Sequence, residues 1–197
     1  MTSTLPLALL VLLAAPATAA ERRYTVTDFD RIQVEGPFAV TLATGPGASV
    51  VATGDARALD QVSVDVQARL LKIRPNRSGW GGYTGEQSGP VSLTLTVPAL
   101  RGATVIGSGT LDIDRAKAMK FDVLLSGSGR IGIGKVEADT MTLGLVGGGR
   151  MKLGGKVASL RATISGAGDL EAESLQSADA EINADTSGRV ALAVQQL

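Results

Sequence analysis

One spacing restricts the fold of this chain more than any other feature: small-residue segments that end in glycine recur about every 20 residues. Successive final glycines are separated by 20, 20, 19 and 20 residues, and they are Gly109, Gly129, Gly149, Gly168 and Gly188. Five copies at nearly one period indicate a repeat architecture, in which each copy is a structural unit stacked on the next.

Each copy also carries the same apolar pattern around its glycine. The positions six and four residues before the glycine, and those two and four residues after it, are apolar in all five copies. Around Gly129 they are Val123, Leu125, Ile131 and Ile133. Because the apolar positions alternate with polar or small ones, the pattern predicts strands with one buried face.

The period and the alternation together predict an all-β fold, a right-handed parallel β-helix or β-solenoid with rungs of about 20 residues over 101–197. Residues 24–100 are strand-rich but less regular, and we expect them to continue or cap the same sheets, since an uncapped end exposes strand edges. The last copy stops at Leu197. We therefore expect that end of the stack to be open or covered by a partner, including a second copy of the chain.

The N-terminus has the pattern of an export signal. An apolar run from Leu5 to Ala15 precedes Ala17-Thr18-Ala19, which resembles a signal-peptidase site. The run is too short to cross a bilayer core of about 30 Å as a helix. We therefore predict a signal peptide over 1–20 and a single exported domain over 21–197, located in the periplasm, at the cell surface or outside the cell.

Composition excludes several classes of function. The chain has no Cys and no His, so disulfides, zinc sites of the usual type and Ser-His-Asp or Cys-His catalysis are impossible. Its 19 basic and 19 acidic residues balance, which argues against nucleic-acid binding. No segment after the signal has 18 consecutive apolar residues, so we do not expect an integral membrane protein. We predict no catalytic residue, no cofactor and no metal.

The segment from Gly127 to Gly132 spells G-x-G-x-x-G, the pattern of a dinucleotide-binding turn. Such a turn must be followed by a helix, whereas the residues after Gly129 alternate as a strand does. Ser128 lies between glycines and could be taken for a nucleophile, but no histidine is present to activate it. The repetition of the motif favours a structural turn, which bends where glycine avoids a Cβ clash.

Acidic residues are the alternative source of chemistry, since β-helix proteins include polysaccharide lyases and hydrolases. Asp112, Asp114, Asp169 and Glu171 occupy outward positions of the predicted strands. Asp112 and Glu171 would lie three rungs apart, about 14 Å, which is too far for an acid and base pair. Their distribution favours solubilising charge.

A glycine-rich segment between predicted strands, residues 76–90, contains Trp80 and Tyr83, two of the six aromatic residues. Aromatic side chains on a loop of an exported protein can stack on sugars or anchor a partner. They can equally fold over the solenoid as a plug. Trp80 and Tyr83 are therefore our candidates for glycan or partner binding, with both interpretations open.

Two parts of the chain resemble the head GIN domain family of auto-transporter adhesins. They are the opening FDRIQVEGPFAVTLATG with VVATGDARALDQV, and the repeated Gly-Ser-Gly at 107–109 and 127–129. The resemblance covers about 29–192 and implies a bacterial cell-envelope β-helix with an adhesive role. We predict a non-catalytic binding module whose partner is an envelope polysaccharide or a surface protein; the alternative is a carbohydrate-active enzyme on the same scaffold.

Overall fold

Parallel strand pairing at an offset of about 20 residues organises the computed structural model, which describes residues 20–76 and 89–194. This part of the chain forms strands and one short helix. The strands are β1 (Ala20–Tyr24), β2 (Arg31–Glu35), β3 (Ala39–Thr44), β4 (Ser49–Gly54), β5 (Val62–Gln67), β6 (Leu70–Pro75), β7 (Ser92–Val97), β8 (Gly102–Gly107), β9 (Thr110–Gly127), β10 (Arg130–Gly147), β11 (Arg150–Gly166), β12 (Asp169–Thr186) and β13 (Val190–Val194); the helix is α1 (Ala56–Asp60).

Each long strand contributes its two halves to two sheets, which β9 distinguishes because its halves pair with different N-terminal strands. The start of β9 pairs with β3, whereas its end pairs with β8. We call the sheet of β6, β2, β8 and the second halves of β9 to β12 the first sheet. The second sheet contains β7, β3, the first halves of β9 to β12, and β13. Arg130 pairs with Thr110 on one side and Arg150 on the other, so the predicted parallel β-solenoid is confirmed.

Stacked aliphatic side chains fill the space between the two sheets. In the first four copies every residue of the four predicted apolar columns is buried, as in the column Leu111, Ile131, Met151 and Leu170. A further buried column lies eight residues before the final glycines, and sequence analysis missed it; it contains Phe121, Met141 and Leu160.

The fifth copy departs from the predicted burial. Ile182 is 40 % exposed and Ala184 is also exposed. Their half of β12 has β11 on one side and, among the described strands, no partner on the other. The prediction of a buried apolar face was therefore wrong for this half-rung, because no further rung covers it.

The N-terminal strands extend both sheets, but their order in space differs from their order in the chain. β2 lies between β6 and β8 in the first sheet, and β3 lies between β7 and β9 in the second. The rung of β2 and β3 therefore comes first in the chain, and the rung of β6 and β7 pairs with its outer side. Residues 98–101 then connect β7 to β8, which pairs with the other side of β2.

The outer side of the β6–β7 rung is covered by antiparallel strands and the helix. β5 pairs antiparallel with β6, and β4 and β1 continue the second sheet beyond β7. Helix α1 buries Ala58 and Leu59, and the side chain of Asp55 caps it by accepting a hydrogen bond from the Arg57 amide. Antiparallel pairing and a helix thus end the parallel stack at this side.

The nearly buried carboxylate of Asp30 connects the rungs whose order in space differs from their order in the chain. The side chain of Asp30 is 11 % exposed, and its oxygens lie 3.0 Å from Nε of Arg69, 3.7 Å from Nε of Arg31 and 3.9 Å from Nε of Arg101. The Asp30 amide donates to the carbonyl of Arg69, and its carbonyl accepts from the amide of Arg101. Asp30 therefore connects three successive levels of the stack.

Candidate functional site

The G-x-G-x-x-G segment is a stacked turn between the two sheets. Gly127 has a φ of +123°, and a Cβ there would lie 2.5 Å from the carbonyl oxygen of Gly107, so both conformation and space require glycine. A Cβ at Gly129 would collide with the carbonyl oxygen of Gly109 on the preceding rung. The residues from Arg130 onward form strand β10 rather than a helix. The motif is therefore structural and lacks the helix that would hold a pyrophosphate.

A shallow groove of about 360 Å³ runs across these turns. It is lined by Ser108, Thr110, Ser128, Gly129, Arg130, Gly148, Arg150 and Asp169. Asp169 is the one carboxylate among the residues that line this groove, and it accepts a hydrogen bond from the Arg189 amide at 3.0 Å and pairs with Arg150 at 3.2 Å. These two contacts, the amide first, lower the pKa of Asp169. A carboxylate with a lowered pKa is a poor general base, so the groove gives Ser128 no activating partner.

Asp169→Asn is expected to lower the stability of the fold at neutral pH, and the loss of stability is expected to be smaller in acid. Because the pKa of Asp169 is lowered by folding, its charge stabilises the fold fully above the unfolded pKa of about 4 and ceases to do so as pH falls through the lower folded pKa. Thermal midpoints of both proteins between pH 7 and pH 2.5 test this. The exposed Asp112→Asn is the control, and a constant difference between Asp169→Asn and wild type across the range would contradict the expectation.

The predicted carboxylates are distributed over the outer positions of the strands. Asp112 and Glu171 occupy one column, separated by Gly132 and Lys152, so they lie about 14 Å apart, which is too far for an acid and base pair. Asp114 accepts hydrogen bonds from the amide and hydroxyl of Thr44. Asp169 and Glu171 both pair with Arg150, at 3.2 and 3.8 Å, and the lowered pKa of Asp169 does not suit a general acid.

A second groove, about 570 Å³, follows the opposite edge of the solenoid, where the long strands pass from the second sheet to the first. It is lined by Lys117, Ala118, Met119, Glu137, Ala138, Asp139, Lys156, Val157 and Ala158. Glu137 lies 2.7 Å from Lys135 and 3.7 Å from Lys117, and Lys135 in particular lowers the pKa of Glu137. Glu137 is therefore held ionised, which does not suit a general acid.

The outer surface of the first sheet carries a patch without ionisable residues, which we call the neutral face. It consists of two adjacent columns, Thr104, Leu124, Gly144 and Thr163 beside Ile106, Ser126, Val146 and Ser165. Ile106, Leu124 and Val146 are 40 %, 39 % and 47 % exposed. Contiguous exposed apolar groups framed by polar ones are typical of interaction surfaces.

The corresponding surface of the second sheet is charged over β9 to β12. Its columns there contain Arg130, Arg150 and Asp169 beside Asp112, Lys152 and Glu171. The neutral face thus differs from the equivalent part of the second sheet, although the next outward column of its own sheet contains Asp122, Arg161 and Glu181. Burial does not require this difference, because outward positions of both sheets face solvent.

Trp80 and Tyr83, the aromatic candidates from the sequence, lie outside the described residues. The strands that flank them are described: β6 ends at Pro75 and β7 begins at Ser92. A Cβ at Gly36 would lie 3.1 Å from the Pro75 ring. Pro75, the last residue of β6, therefore lies beside the turn at Gly36.

The part of the chain that the structure describes contains neither a group of metal-binding side chains nor a membrane-spanning helix. Over 20–76 and 89–194, no three His, Cys, Asp or Glu side chains come together in a way that could hold a metal ion. No helix in these ranges is long and apolar enough to span a membrane.

The neutral face was missed by sequence analysis although its signal is present. The positions three and five residues before the final glycine carry no ionisable residue in the first four copies. The outward columns were considered only after the glycine, where charges occur. A comparison of the positions three and five residues before the glycine with the outward positions after it would have shown that, in these copies, ionisable residues are absent from the former and present in the latter.

Comparison with known families and structures agrees with this fold. The family model described as "Putative auto-transporter adhesin, head GIN domain" matches residues 28–197. No curated protein matches the chain.

Solved structures with the same architecture come from Bacteroides and Parabacteroides species. A "putative adhesin" from Bacteroides fragilis superposes with a TM-score of 0.78 at 18 % identity, covering 89 % of this chain and 80 % of that one. A "putative lipid binding protein" from Parabacteroides distasonis gives 0.69 at 18 % identity, covering 92 % and 84 %. A "putative adhesin" from Parabacteroides merdae gives 0.63 at 13 % identity, covering 92 % and 93 %. At these identities the similarity establishes the fold alone.

Proposed function

The chain belongs to the head GIN domain family of auto-transporter adhesins, and from this premise we propose that it is a non-catalytic binding module of the cell envelope. Its partner in this proposal is an envelope polysaccharide, bound on the neutral face. Residues 1–20 are the signal for export, and 21–197 are the single exported domain. N-terminal sequencing of the exported chain tests the signal, since a chain that retains Met1 would contradict it.

The observation that carries the proposal is the exposure of aliphatic side chains on the neutral face. They belong to Ile106, Leu124 and Val146, on three successive rungs. A surface that served solubility alone would carry charges there, as the second sheet does over β9 to β12. The uncharged columns therefore support a contact surface.

The chemistry of the face favours a polysaccharide over a protein. Thr104, Ser126, Thr163 and Ser165 present hydroxyl groups that both donate and accept hydrogen bonds. Sugars offer hydroxyl groups and C–H surfaces in alternation, so they match hydroxyl and aliphatic side chains mixed on one surface. The rungs repeat about every 4.8 Å, which lets a linear polymer meet the same column of side chains repeatedly.

Leu124→Glu and Val146→Glu are expected to weaken binding to a polysaccharide fraction of the source envelope at least tenfold, because each places an unpaired carboxylate in the contact. Thr110→Glu is the matched control, since it adds the same charge to the outer surface of the second sheet. Binding is measured by biolayer interferometry with immobilised polysaccharide, and circular dichroism checks folding. An equal loss of affinity in all three variants, or no loss in any of them, would contradict the proposal that the neutral face contacts the polysaccharide.

The double variant Trp80→Ala/Tyr83→Ala tests the aromatic candidates in the same assay. We propose that the two rings contribute to the contact, so binding is expected to weaken with an unchanged melting temperature. A lowered melting temperature with unchanged binding would instead assign them to packing over the solenoid. Retention on envelope protein but not on polysaccharide by the wild-type chain would contradict the proposed partner.

A further inference from the structure

Three arginines from successive levels of the stack converge on the nearly buried Asp30. Arg69 precedes β6, Arg31 begins β2 and Arg101 precedes β8. Each approaches the Asp30 carboxylate with Nε, at 3.0, 3.7 and 3.9 Å respectively. Three guanidinium groups share one carboxylate, so this cluster, which we call the arginine cluster, has two uncompensated positive charges.

The arginines leave donors free for a ligand. All three side chains are more than half exposed, whereas Asp30 is not. Arg31 uses one terminal nitrogen to donate to the carbonyl of Ala68. Within the described residues, the terminal nitrogens of Arg69 and Arg101 have no hydrogen-bond acceptor.

Neighbouring acidic side chains do not compensate the cluster. Asp122 is next to Arg101 through a backbone hydrogen bond, but its carboxylate pairs with Lys120 at 3.5 Å. In the described part of the chain, Asp30 is the one carboxylate within 4.0 Å of these arginines. An external anion therefore has no internal competitor for the outward nitrogens.

The backbone is held in an unfavourable conformation where it presents Arg69. Ala68 and Arg69 have φ values of +48° and +62°, in the left-handed region that favours glycine. They form the turn between β5 and β6, and the Arg69 carbonyl accepts from the amides of Asp30 and Arg31. Glycine would adopt this backbone conformation with less strain than arginine does, so the presence of Arg69 here supports a function for its side chain.

We propose that Arg31, Arg69 and Arg101 form a binding site for a tetrahedral oxyanion, a phosphate or sulfate group carried by a ligand. Planar guanidinium groups bind such oxyanions through paired N–H donors. Asp30 orients the three arginines through their Nε atoms, and the outward nitrogens contact the anion. The inference goes beyond the proposed function because it does not depend on the neutral face.

The test is a calorimetric titration of the full chain with inorganic phosphate and with sulfate, at an ionic strength held constant with sodium chloride. Saturable binding is expected, and Arg101→Gln is expected to weaken it about tenfold. Arg101→Lys should weaken binding less, since lysine keeps the positive charge but lacks the paired N–H donors of the planar guanidinium group. Arg161→Gln is the control, because it makes the same charge change at an exposed site paired with Glu181. No saturable binding, or equal weakening by Arg161→Gln, would overturn the site.

Two arms identify the source of the anion. Vesicles of phosphatidylcholine with phosphatidic acid present the group on a lipid, and a phosphorylated mannan presents it on a polysaccharide. Binding to either that is lost in Arg101→Gln supports the site and names its carrier; binding to neither overturns it. Leu124→Glu should leave both arms unchanged, so failure of this site and failure of the neutral face are distinguishable.

Discussion

Gly149→Ala is expected to destabilise the chain by about 3 kcal/mol. A Cβ at Gly149 would lie 2.7 Å from the carbonyl oxygen of Gly129 and 2.7 Å from Cδ2 of Leu125. The rungs are held about 4.8 Å apart by main-chain hydrogen bonds on both sides, so the turn has little room to move. Chemical denaturation monitored by circular dichroism measures the change.

The neighbouring glycine of the same turn is the matched control. A Cβ at Gly148 would meet nothing within 4 Å, and Gly148 is not among the glycines with positive φ. Gly148→Ala is therefore expected to change stability by less than about 1 kcal/mol, with a small gain because alanine restricts the unfolded chain. Similar losses for the two substitutions would show that the stacked contact is not what requires glycine at the end of each triplet.

Asp30→Ala is expected to lower the free energy of unfolding by about 2 kcal/mol. It removes the carboxylate shared by Arg31, Arg69 and Arg101 and leaves three positive charges close together. The loss should be smaller than for a fully buried ion pair, because the arginines are exposed and water can solvate them. The free energy of unfolding from urea denaturation measures it.

Asp122→Ala serves as the comparison for this substitution, since it removes an exposed carboxylate 3.5 Å from Lys120. Exposed pairs of this kind contribute little, and the expected change is below about 1 kcal/mol. If Asp30→Ala proved as mild as Asp122→Ala, Asp30 would not be the link between the N-terminal rungs that its contacts indicate.

The repeat region could be predicted from the sequence because its period and its core depend on the same residues. Each final glycine must allow the next rung to approach, and each apolar column must face the interior, so both signals recur at one offset. The column of Phe121, Met141 and Leu160 recurs equally but was overlooked among positions without a glycine nearby. The exposed Ile182 shows the limit of periodicity, because a column is buried only where a further rung covers it.

The order of the N-terminal rungs could not be predicted. Strands β2 and β6 both alternate apolar and polar residues, and alternation does not say which strand pairs with β8. That choice depends on long-range contacts such as those of Asp30 with Arg69 and Arg101, which are far apart in sequence. The turn at Gly36 likewise belongs to the glycine stack, since its carbonyl faces Gly109, although the spacing to the next copy is irregular.

The candidate surfaces were only partly predictable for a related reason. The charged residues after the glycines are evident from the sequence, but the pairing of Arg150 with Asp169 depends on strand register. The neutral face and the arginine cluster depend on which outward side chains share a sheet surface or a level of the stack. Both become visible only when strand register is known.

The central claim is that the neutral face contacts the ligand, and methyl NMR tests it most directly. The methyl groups of Ile106, Leu124 and Val146 are expected to shift on addition of envelope polysaccharide, while those of the buried Leu125 and Ile131 on the same rungs remain in place. Saturable shifts confined to the exposed methyl groups are the predicted result. Binding of the polysaccharide without any change at Ile106, Leu124 and Val146 would contradict the account.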